Sequence, residues 1–360
     1  MRDVAQRAGV SVGTVSNVLN RPDVVSPGTR ARVQAAIAEL GFVRSESARL
    51  LRAGSSQVLA LLALDLADPF FVEVLRGAER AARAAGLGVL VMDSASSAAT
   101  EATHLVMLAQ QRVRGVLVTP ADVSGATLAE FSRAGIPYVL VDRDIPGGDG
   151  CRVLVDDVAG GAMAVAHLIA AGHRRIAYVP GPMELPQYRD RLEGAQSAVG
   201  EAGPDVEFVT LPGARGDVAA GRDAAARMVG LAERPTGVFC GNDLIALGML
   251  QGLFAAGVAV PGDVAIVGYG DLEVAAAAVV PLSSIRRPAA RVGTAAAELL
   301  VEESGAAAGE HVHRELVFQP ELVVRASSLV PTAASPVAPM TPVAPATPVT
   351  PAARARTPDS

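Results

Sequence analysis

The sequence contains no Lys, no Trp and only 2 Cys among its 360 residues. It also lacks an apolar run long enough to cross a membrane, and its first residues, MRDVAQRAG, lack the apolar segment of a secretory signal. These absences predict a cytoplasmic protein. The two cysteines, Cys151 and Cys240, are too few and too far apart for a disulfide framework, so we interpret both as buried structural thiols.

Motifs for catalysis and metal binding are missing as well. Without Lys the chain cannot contain a Walker A phosphate loop, which requires that residue. The 5 His are scattered, and the close pair His311 and His313 is expected on a strand, with no third ligand nearby in the sequence. We therefore expect no enzyme, no cofactor and no metal site.

Charge is distributed unevenly along the chain. Residues 1–57 contain eight Arg and four acidic residues, a net charge of +4, whereas the remainder has 23 Arg and 33 acidic residues, a net charge of −10. A small basic segment attached to an acidic body indicates that only this segment contacts a polyanion such as nucleic acid.

The first part of the chain, residues 1–43, has helical spacing only. Its apolar residues recur three or four positions apart and predict three short helices. Ser26 followed by Pro27 is typical of a helix start, and Gly41 is typical of a helix end. A polar connector, residues 44–57, follows this helical part.

From residue 58 to residue 329 the pattern changes to short apolar runs separated by amphipathic segments. Buried strands that alternate with helices are typical of parallel sheets covered on both faces. About 270 residues is too long for one such sheet, so we expect two Rossmann-like subdomains with a ligand cleft between them. The predicted strands are 58–64, 88–92, 115–119, 138–142, 175–179, 206–211, 237–241 and 264–269, and the predicted helices are Phe70–Ala85, Asp157–Ala171, Asp190–Ala202, Asp217–Leu231 and Asp243–Ala256.

Residues 330–360 form a tail rich in Pro, Ala and Thr. Such a composition cannot build a packed core, because it supplies few large apolar side chains. We expect the tail to be disordered.

The second predicted helix of the first part, residues 12–19, has two different faces. Val15 and Leu19 face inward, whereas small and hydrogen-bonding side chains face outward. A turn with Gly before this helix, and Ser11 as its cap, is typical of a helix-turn-helix, whose second helix enters the major groove of DNA. Hydroxyls on this face suit phosphate oxygens, and Asn17 can pair with adenine. An ordinary three-helix corner is the alternative.

The stretch DVAQRAGVSVGTVSNVLN, followed by VSPGTRARVQAAIAELGF, resembles the N-terminal signature of the LacI/GalR family of bacterial transcription regulators. The resemblance continues in order through DPFFVEVLRGAERAARAAG, IPYVLVDR, HRRIAYVPG, GVFCGNDLIALGML, VAIVGYGD and PELVVRASS, and so spans residues 2–328. It implies a small all-α helix-turn-helix head (1–43), a hinge helix and linker (44–57), and an α/β core like that of periplasmic binding proteins (58–329). It also implies a homodimer that binds double-stranded operator DNA and a small-molecule effector.

The resemblance also implies which residues contact DNA. The base-reading positions of the family fall on Val12, Gly13 and Asn17. A hinge Leu that the family inserts between base steps in the minor groove falls on Leu51, for which an ordinary linker residue is the alternative. The remaining DNA-contacting positions are Ser11, Thr14, Ser16, Asn20, Val25, Ser26 and Thr29 in the head, and Ala48 and Arg49 in the hinge.

Effector-binding positions of the family fall on six core residues: Phe70, Phe71, Asp142, Arg191, Asn242 and Asp271. Aromatic and hydrogen-bonding side chains of this kind suit a sugar or a sugar derivative. Three further positions depart from the family, because an acid is replaced by Gly270 and two aromatic walls by Val218 and Ala289. A carbohydrate effector is still favoured, with less stacking against it. Structural roles are the alternative for Arg191 and Asn242.

Two other functions stay open. A solute-binding protein of the same fold would carry a signal peptide and no basic head, and a regulator that responds to a protein partner would bind no small molecule. The reading we favour is a repressor in which effector closes the cleft and thereby orders or melts the hinge helices. No leucine heptad follows the core, so we expect a dimer rather than a tetramer.

Overall fold

The computed structural model describes residues 1–42, 56–145, 148–213, 215–305 and 311–329. Within these ranges the chain forms a small helical head and an α/β core with two sheets, which confirms the predicted fold class. No helix in the described ranges has the length and apolar character needed to span a membrane.

The head consists of three helices, α1 (Arg2–Ala8), α2 (Val12–Asn20) and α3 (Pro27–Glu39). Their positions confirm the three helices predicted from apolar spacing. The turn between α1 and α2 requires Gly9, whose φ of 65° lies in the left-handed region that disfavours a side chain. The helices share one apolar core, formed by Val4, Ala5, Ala8, Val15, Val18, Val33 and Ala36.

The core contains twelve strands in the described residues. They are β1 (Val58–Ala63), β2 (Gly88–Asp93), β3 (Gly115–Val118), β4 (Tyr138–Val141), β5 (Cys151–Val155), β6 (Arg175–Val179), β7 (Glu207–Thr210), β8 (Gly237–Cys240), β9 (Ala265–Gly270), β10 (Ser283–Arg286), β11 (Glu315–Phe318) and β12 (Glu321–Val323). The first sheet has the order β11-β5-β4-β3-β1-β2 and is parallel throughout. The second has the order β12-β10-β9-β8-β6-β7 and is parallel except for the pair β10 and β12.

Helices cover the faces of both sheets. They are α4 (Pro69–Ala84), α5 (Ala98–Gln110), α6 (Ala126–Arg133), α7 (Asp157–Ala170), α8 (Pro186–Ala202), α9 (Val218–Val229), α10 (Asp243–Ala255), α11 (Glu273–Ala277) and α12 (Ala289–Gly305). Several of these helices begin at a side-chain cap, as at Asp68, whose Oδ1 accepts a hydrogen bond from Phe70 N at 2.9 Å. Each sheet with its helices forms one lobe of the core.

The chain crosses between the two lobes three times, from β5 to α7, from β10 to α12 and from β11 to β12. These crossings bring the ends of strands from different lobes together. Arg287, directly after β10 of the second lobe, lies 3.4 Å from the carboxylate of Asp142, directly after β4 of the first. The region between the lobes is therefore where side chains of both sheets meet.

The eight predicted strands and five predicted helices are confirmed, with ends that differ by at most four residues. Strands β5, β10, β11 and β12 were not predicted. His311 and His313 were expected on a strand. They lie instead in the irregular segment before β11. The physical reason is the register: Glu315 pairs with Arg152, and β5 begins one residue earlier at Cys151, so it offers no partner residues to extend the ladder back to the histidines.

Candidate DNA-binding surface and interlobe cleft

Helix α2 of the head begins with a side-chain cap. Ser11 Oγ accepts a hydrogen bond from Thr14 N at 3.1 Å and lies 2.9 Å from Thr14 Oγ1. Backbone N–H groups at a helix start carry partial positive charge and attract anions. The cap thus positions two hydroxyls and a helix N-terminus where a DNA phosphate can accept hydrogen bonds.

The two faces of α2 differ as the sequence predicts. Val15 and Val18 are buried against the rest of the head. On the opposite side Val12 is 44% exposed, and Gly13 and Asn17 are exposed beside it. Because Val12 and Gly13 offer no polar side chain, Asn17 has the only hydrogen-bonding side chain among these three positions, which the sequence predicts to read bases.

The other predicted head contacts lie around this face. Asn20 Nδ2 donates to the carbonyl oxygen of Ser16 at 2.8 Å. Ser26 Oγ donates to Thr29 Oγ1 at 3.0 Å, directly at the start of α3, and Val25 beside it is half-buried. Local hydrogen bonds thus hold the side chains of Asn20, Ser26 and Thr29 in defined positions. The predicted hinge residues Ala48, Arg49 and Leu51 lie outside the described residues.

A cavity of about 590 Å³ opens between the two lobes. Its walls come from the start of α4, the end of β9 and the crossings after β10 and β11. Two of the predicted effector residues, Phe70 and Asp271, line it together with Arg287. Ala289 and Gly270, two of the positions that depart from the family, also line it.

Arg287 is the central cation of the cleft. Its guanidinium carbon lies 3.7 Å from the centre of the Phe70 ring, and its nitrogens lie 3.6 Å from Asp68 and 3.4 Å from Asp142. The side chain is 5% exposed, and its Nε is buried without a hydrogen-bond partner among the described residues. Burial raises the pKa of Asp142 to about 7, an effect that Arg287 opposes and that Asp157 reinforces.

Arg191 is buried in the second lobe and held on three sides. Its Nε lies 3.0 Å from Asp157 Oδ1, its Nη1 donates to Gly241 O at 2.7 Å, and its guanidinium stacks 3.8 Å from the Tyr269 ring centre. Its Nη2 is buried without a hydrogen-bond partner among the described residues. Arg191 therefore keeps one unsatisfied buried donor, although it does not line the cavity between the lobes.

Asn242 has no such spare donor in this structure. Its Oδ1 caps α10 by accepting from Ile245 N at 2.8 Å, while its Nδ2 donates to Tyr188 Oη at 3.1 Å and to Gly216 O at 2.8 Å. These contacts give the amide a structural role in the second lobe. Asn242 does not line the cavity between the lobes.

The remaining predicted effector residues contact other side chains of the protein. Phe71 is buried in the first lobe and packs edge-on against Phe70, with ring centres 5.3 Å apart. Asp271 accepts from Arg286 Nε at 2.7 Å and lies 2.6 Å from Arg325 Nη2. The structure thus brings Phe70 and Asp271 to the cavity and places Asp142 behind Arg287.

Sequence reasoning missed Arg287 and Asp157, which organise the two charge clusters of the cleft. Arg287 stands in the string IRRP beside Arg286, whose side chain is 48% exposed. Nothing local distinguishes the buried Arg from the exposed one. The signal would have been its place directly before the Pro that starts a crossing between lobes.

Comparison with known proteins adds to this geometry. Residues 1–45 match a family model described as bacterial regulatory proteins, lacI family, and residues 165–328 match a periplasmic binding protein-like domain. The HTH-type transcriptional repressor PurR of Photobacterium profundum is 31% identical over 328 residues, which cover 91% of this chain and 98% of that protein.

Two solved structures extend the similarity to three dimensions. The transcriptional regulator CelR in complex with cellobiose is 33% identical, with a TM-score of 0.68, and the match covers 91% of this chain and 98% of that one. A lac repressor dimer bound to operator and the anti-inducer ONPF is 26% identical, with a TM-score of 0.80 and the same coverage. These relatives are transcriptional regulators and not enzymes, and they match both the head and the core.

Proposed function

The chain belongs to the LacI family of bacterial transcription regulators, and we propose that it represses transcription by binding a pseudo-palindromic operator as a homodimer. The observation that carries this proposal is the exposed face of α2, on which small side chains surround Asn17. Small residues permit close approach to base edges in the major groove. The match of residues 1–45 to a DNA-binding family favours a regulator over a solute-binding protein, which has no use for such a head.

Substitution of Asn17 tests base reading. A bidentate Asn–adenine pair contributes about 1 to 3 kcal/mol of discrimination against the wrong base. Asn17→Ala should therefore relax selectivity at one symmetric operator position by that amount. Asn20→Ala, on the same helix but at a proposed backbone contact, is the matched control and should weaken all sites equally.

Both variants can be compared by selecting bound sequences from a random DNA library and then measuring their affinities. The base-reading role requires that only Asn17→Ala alters the selected sequence. Unchanged selectivity in that variant would remove Asn17 from readout. An equal loss of affinity for all sequences in both variants would mean that Asn17 contacts only the phosphate backbone.

The proposed homodimer is supported by two large apolar side chains on the second lobe. Phe254 is 79% exposed and Val279 is 93% exposed. Large apolar side chains that are this exposed in one chain are candidates for burial in an interface. Phe254→Glu should shift the protein from dimer to monomer in light scattering coupled to size-exclusion chromatography, whereas a dimer unaffected by this charge would place the interface elsewhere.

We further propose that the effector is a sugar or a sugar derivative that binds in the cleft. The cavity of about 590 Å³ is large enough for a small molecule and combines the Phe70 ring with charged side chains. The buried donor Arg287 Nε, on a residue that lines this cavity, suits an oxygen atom of a polyol. The cellobiose complex of CelR supports this class, although Ala289 leaves less surface for stacking and Gly270 removes an acceptor here.

A panel of sugars, phosphosugars and nucleosides tests the effector class through ligand-induced shifts of the melting temperature. A sugar that binds should lose its shift in Arg287→Met and keep it in Arg114→Met, an Arg outside the cleft that contacts Ser304. If only nucleosides shift the melting temperature, the effector is a nucleoside and not a sugar. No shift with any compound would favour a regulator that responds to a protein partner.

The proposed switch couples the cleft to DNA through the hinge. Effector that closes the lobes changes their relative position in both protomers, and this change orders or melts the hinge helices. Titration of effector into the operator complex shows whether the effector lowers or raises operator affinity, because an inducer releases DNA and a corepressor retains it. Leu51→Ala should reduce operator bending, and an unaltered bend angle would argue against a hinge wedge.

A further inference from the structure

Four side chains with metal-binding atoms meet at one edge of the first sheet. They are Cys151 at the start of β5, Glu303 near the end of α12, and His311 and His313 just before β11. One donor atom from each of the four lies within 4.8 Å of every other. The histidine pair was expected to lack a third ligand, and the fold supplies two.

The spacing of these atoms is that of a small coordination shell. Cys151 Sγ lies 3.1 Å from His311 Nε2 and 3.9 Å from His313 Nδ1, and His311 Nε2 lies 3.9 Å from Glu303 Oε2. With metal–sulfur and metal–nitrogen bonds of about 2.3 and 2.0 Å, neighbouring ligands of a tetrahedral zinc ion are separated by roughly 3.3 to 3.6 Å. These three separations differ from the zinc values by a few tenths of an ångström, and the remaining pairs, which lie within 4.8 Å, have to close by at most about 1.5 Å.

Glu303 and Cys151 supply a second, independent observation. Glu303 Oε2 is buried and has no hydrogen-bond partner among the described residues. Cys151 is fully buried beside it, and the His311 side chain is 7% exposed. A buried carboxylate oxygen without a donor is costly, and a cation at this point would remove that cost.

The surroundings of the ligands are also those of a metal site. Each histidine turns one ring nitrogen toward Cys151 and the other toward a carboxylate: His311 Nδ1 lies 3.9 Å from Glu302, and His313 Nε2 lies 3.7 Å from Asp149. Carboxylates on the outer nitrogen orient histidine ligands and raise their basicity. In addition, Arg314 N donates to Cys151 Sγ at 3.3 Å, a contact that helps to hold the sulfur in place.

We propose that Cys151, Glu303, His311 and His313 bind a zinc ion with a structural role. One thiolate, two imidazoles and one carboxylate are ligands that Zn²⁺ accepts, and four protein ligands fill a tetrahedral shell without an open position for substrate. The ion joins the end of α12 to the two strands at the sheet edge, β5 and β11. It therefore ties together three elements of the first lobe at the ends that lie away from the crossings to the second lobe.

Metal content and cobalt spectra of the full chain, prepared without a histidine tag, test this proposal. After treatment with a chelator the protein should take up one zinc per chain in equilibrium dialysis. Cobalt in its place should give the intense visible bands of a tetrahedral ion and a thiolate-to-metal charge-transfer band. A hundredfold excess of free zinc over its dissociation constant should raise the melting temperature by about 5 °C.

Variants separate this site from adventitious binding. Cys151→Ser should abolish the charge-transfer band, and the double variant His311→Gln with His313→Gln should abolish uptake. His173→Gln, a histidine of the second lobe that contacts Thr236, is the matched control and should keep both signals. Circular dichroism establishes whether each variant is folded. If Cys151→Ser unfolds, Glu303→Gln is a milder substitution, and it should weaken zinc uptake. Absence of uptake, or uptake that is unchanged in the double variant and in Glu303→Gln, would overturn the proposal.

Discussion

The titration of Asp142 predicts that the stability of the core falls as the pH rises toward 8. Asp142 follows β4, its side chain is 4% exposed, and burial raises its pKa from 3.8 to about 7. Asp157 and Asp68 raise the pKa further by repulsion, whereas Arg287 and Arg191 lower it. Burial is the largest of these effects, because a carboxylate loses its hydration there.

The sign of the pH dependence follows from the direction of the shift. A carboxyl whose pKa is higher in the folded state binds protons more tightly there than in the unfolded chain. The protonated carboxyl contributes fully to the free energy of unfolding below the unfolded pKa of 3.8. This contribution is lost as the pH rises through about 7. A difference of roughly three pKa units corresponds to about 4 kcal/mol in the free energy of unfolding.

Asp142→Asn isolates this contribution. Asn has nearly the shape of the protonated acid, and it tolerates the positive φ of 62° at this position better than most residues do. The variant should gain stability relative to the parent as the pH rises from 5 to 8, by about 4 kcal/mol over the full titration. Urea unfolding followed by circular dichroism at several pH values measures the difference.

A second buried carboxyl provides the comparison. Burial raises the pKa of Asp243 to about 6, against hydrogen bonds from Ser284 and Leu272 that lower it. Asp243→Asn should therefore show a smaller pH-dependent difference centred at lower pH, whatever its constant offset from lost hydrogen bonds. The reasoning would be refuted if the difference between Asp142→Asn and the parent stayed flat or fell from pH 5 to pH 8. That result would mean that Asp142 remains ionised beside Arg287.

Three further changes test packing and the ends of the fold. Gly194→Ala on α8 should destabilise the core by about 3 kcal/mol in urea unfolding, because an ideal Cβ would lie 1.8 Å from the carbonyl oxygen of Val158. Gly200→Ala on the same helix meets nothing within 4 Å and should stabilise by about 0.5 to 1 kcal/mol, and a similar effect of both would refute the steric argument. Gly9→Ala should cost about 1 to 2 kcal/mol at a φ of 65° and weaken operator binding while the melting of the core is unchanged, whereas full binding would show that the turn adapts. Deletion of residues 331–360 should leave operator binding and the oligomeric state intact, and loss of either would show that the tail takes part in assembly.

Periodicity predicted the parts of the fold that are buried on both faces. The run VLALLA becomes β1, whose last five residues are fully buried, and its apolar character identifies it without any partner. The missed strand β5 alternates between buried and partly exposed residues, and β11 between exposed and partly buried ones, because β11 lies at the sheet edge and β5 beside it. In CRVLV the charge of Arg152 breaks the apolar run. A strand at or beside an edge needs fewer apolar residues, so a charge such as Arg152 can hide it, whereas the edge strands β2 and β7 keep apolar runs and were predicted.

The same distinction explains which parts of the sites could be predicted. The exposed face of α2 follows from positions within one helix, since the helical period alone separates Val15 from Asn17. The charge cluster around Arg287 depends instead on residues 145 positions apart, Asp142 and Arg287, which only the crossing between lobes brings together.

The proposed metal cluster depends on a similar separation, with 160 residues between Cys151 and His311. Spacing within a sequence can reveal ligands that share one turn or hairpin, as in His-x-His, but it carries no information about a cysteine on a different strand. For such sites the parallel register supplies the missing step. Pairing of Glu315 with Arg152 places the segment before β11 beside the start of β5, and so brings both histidines to Cys151.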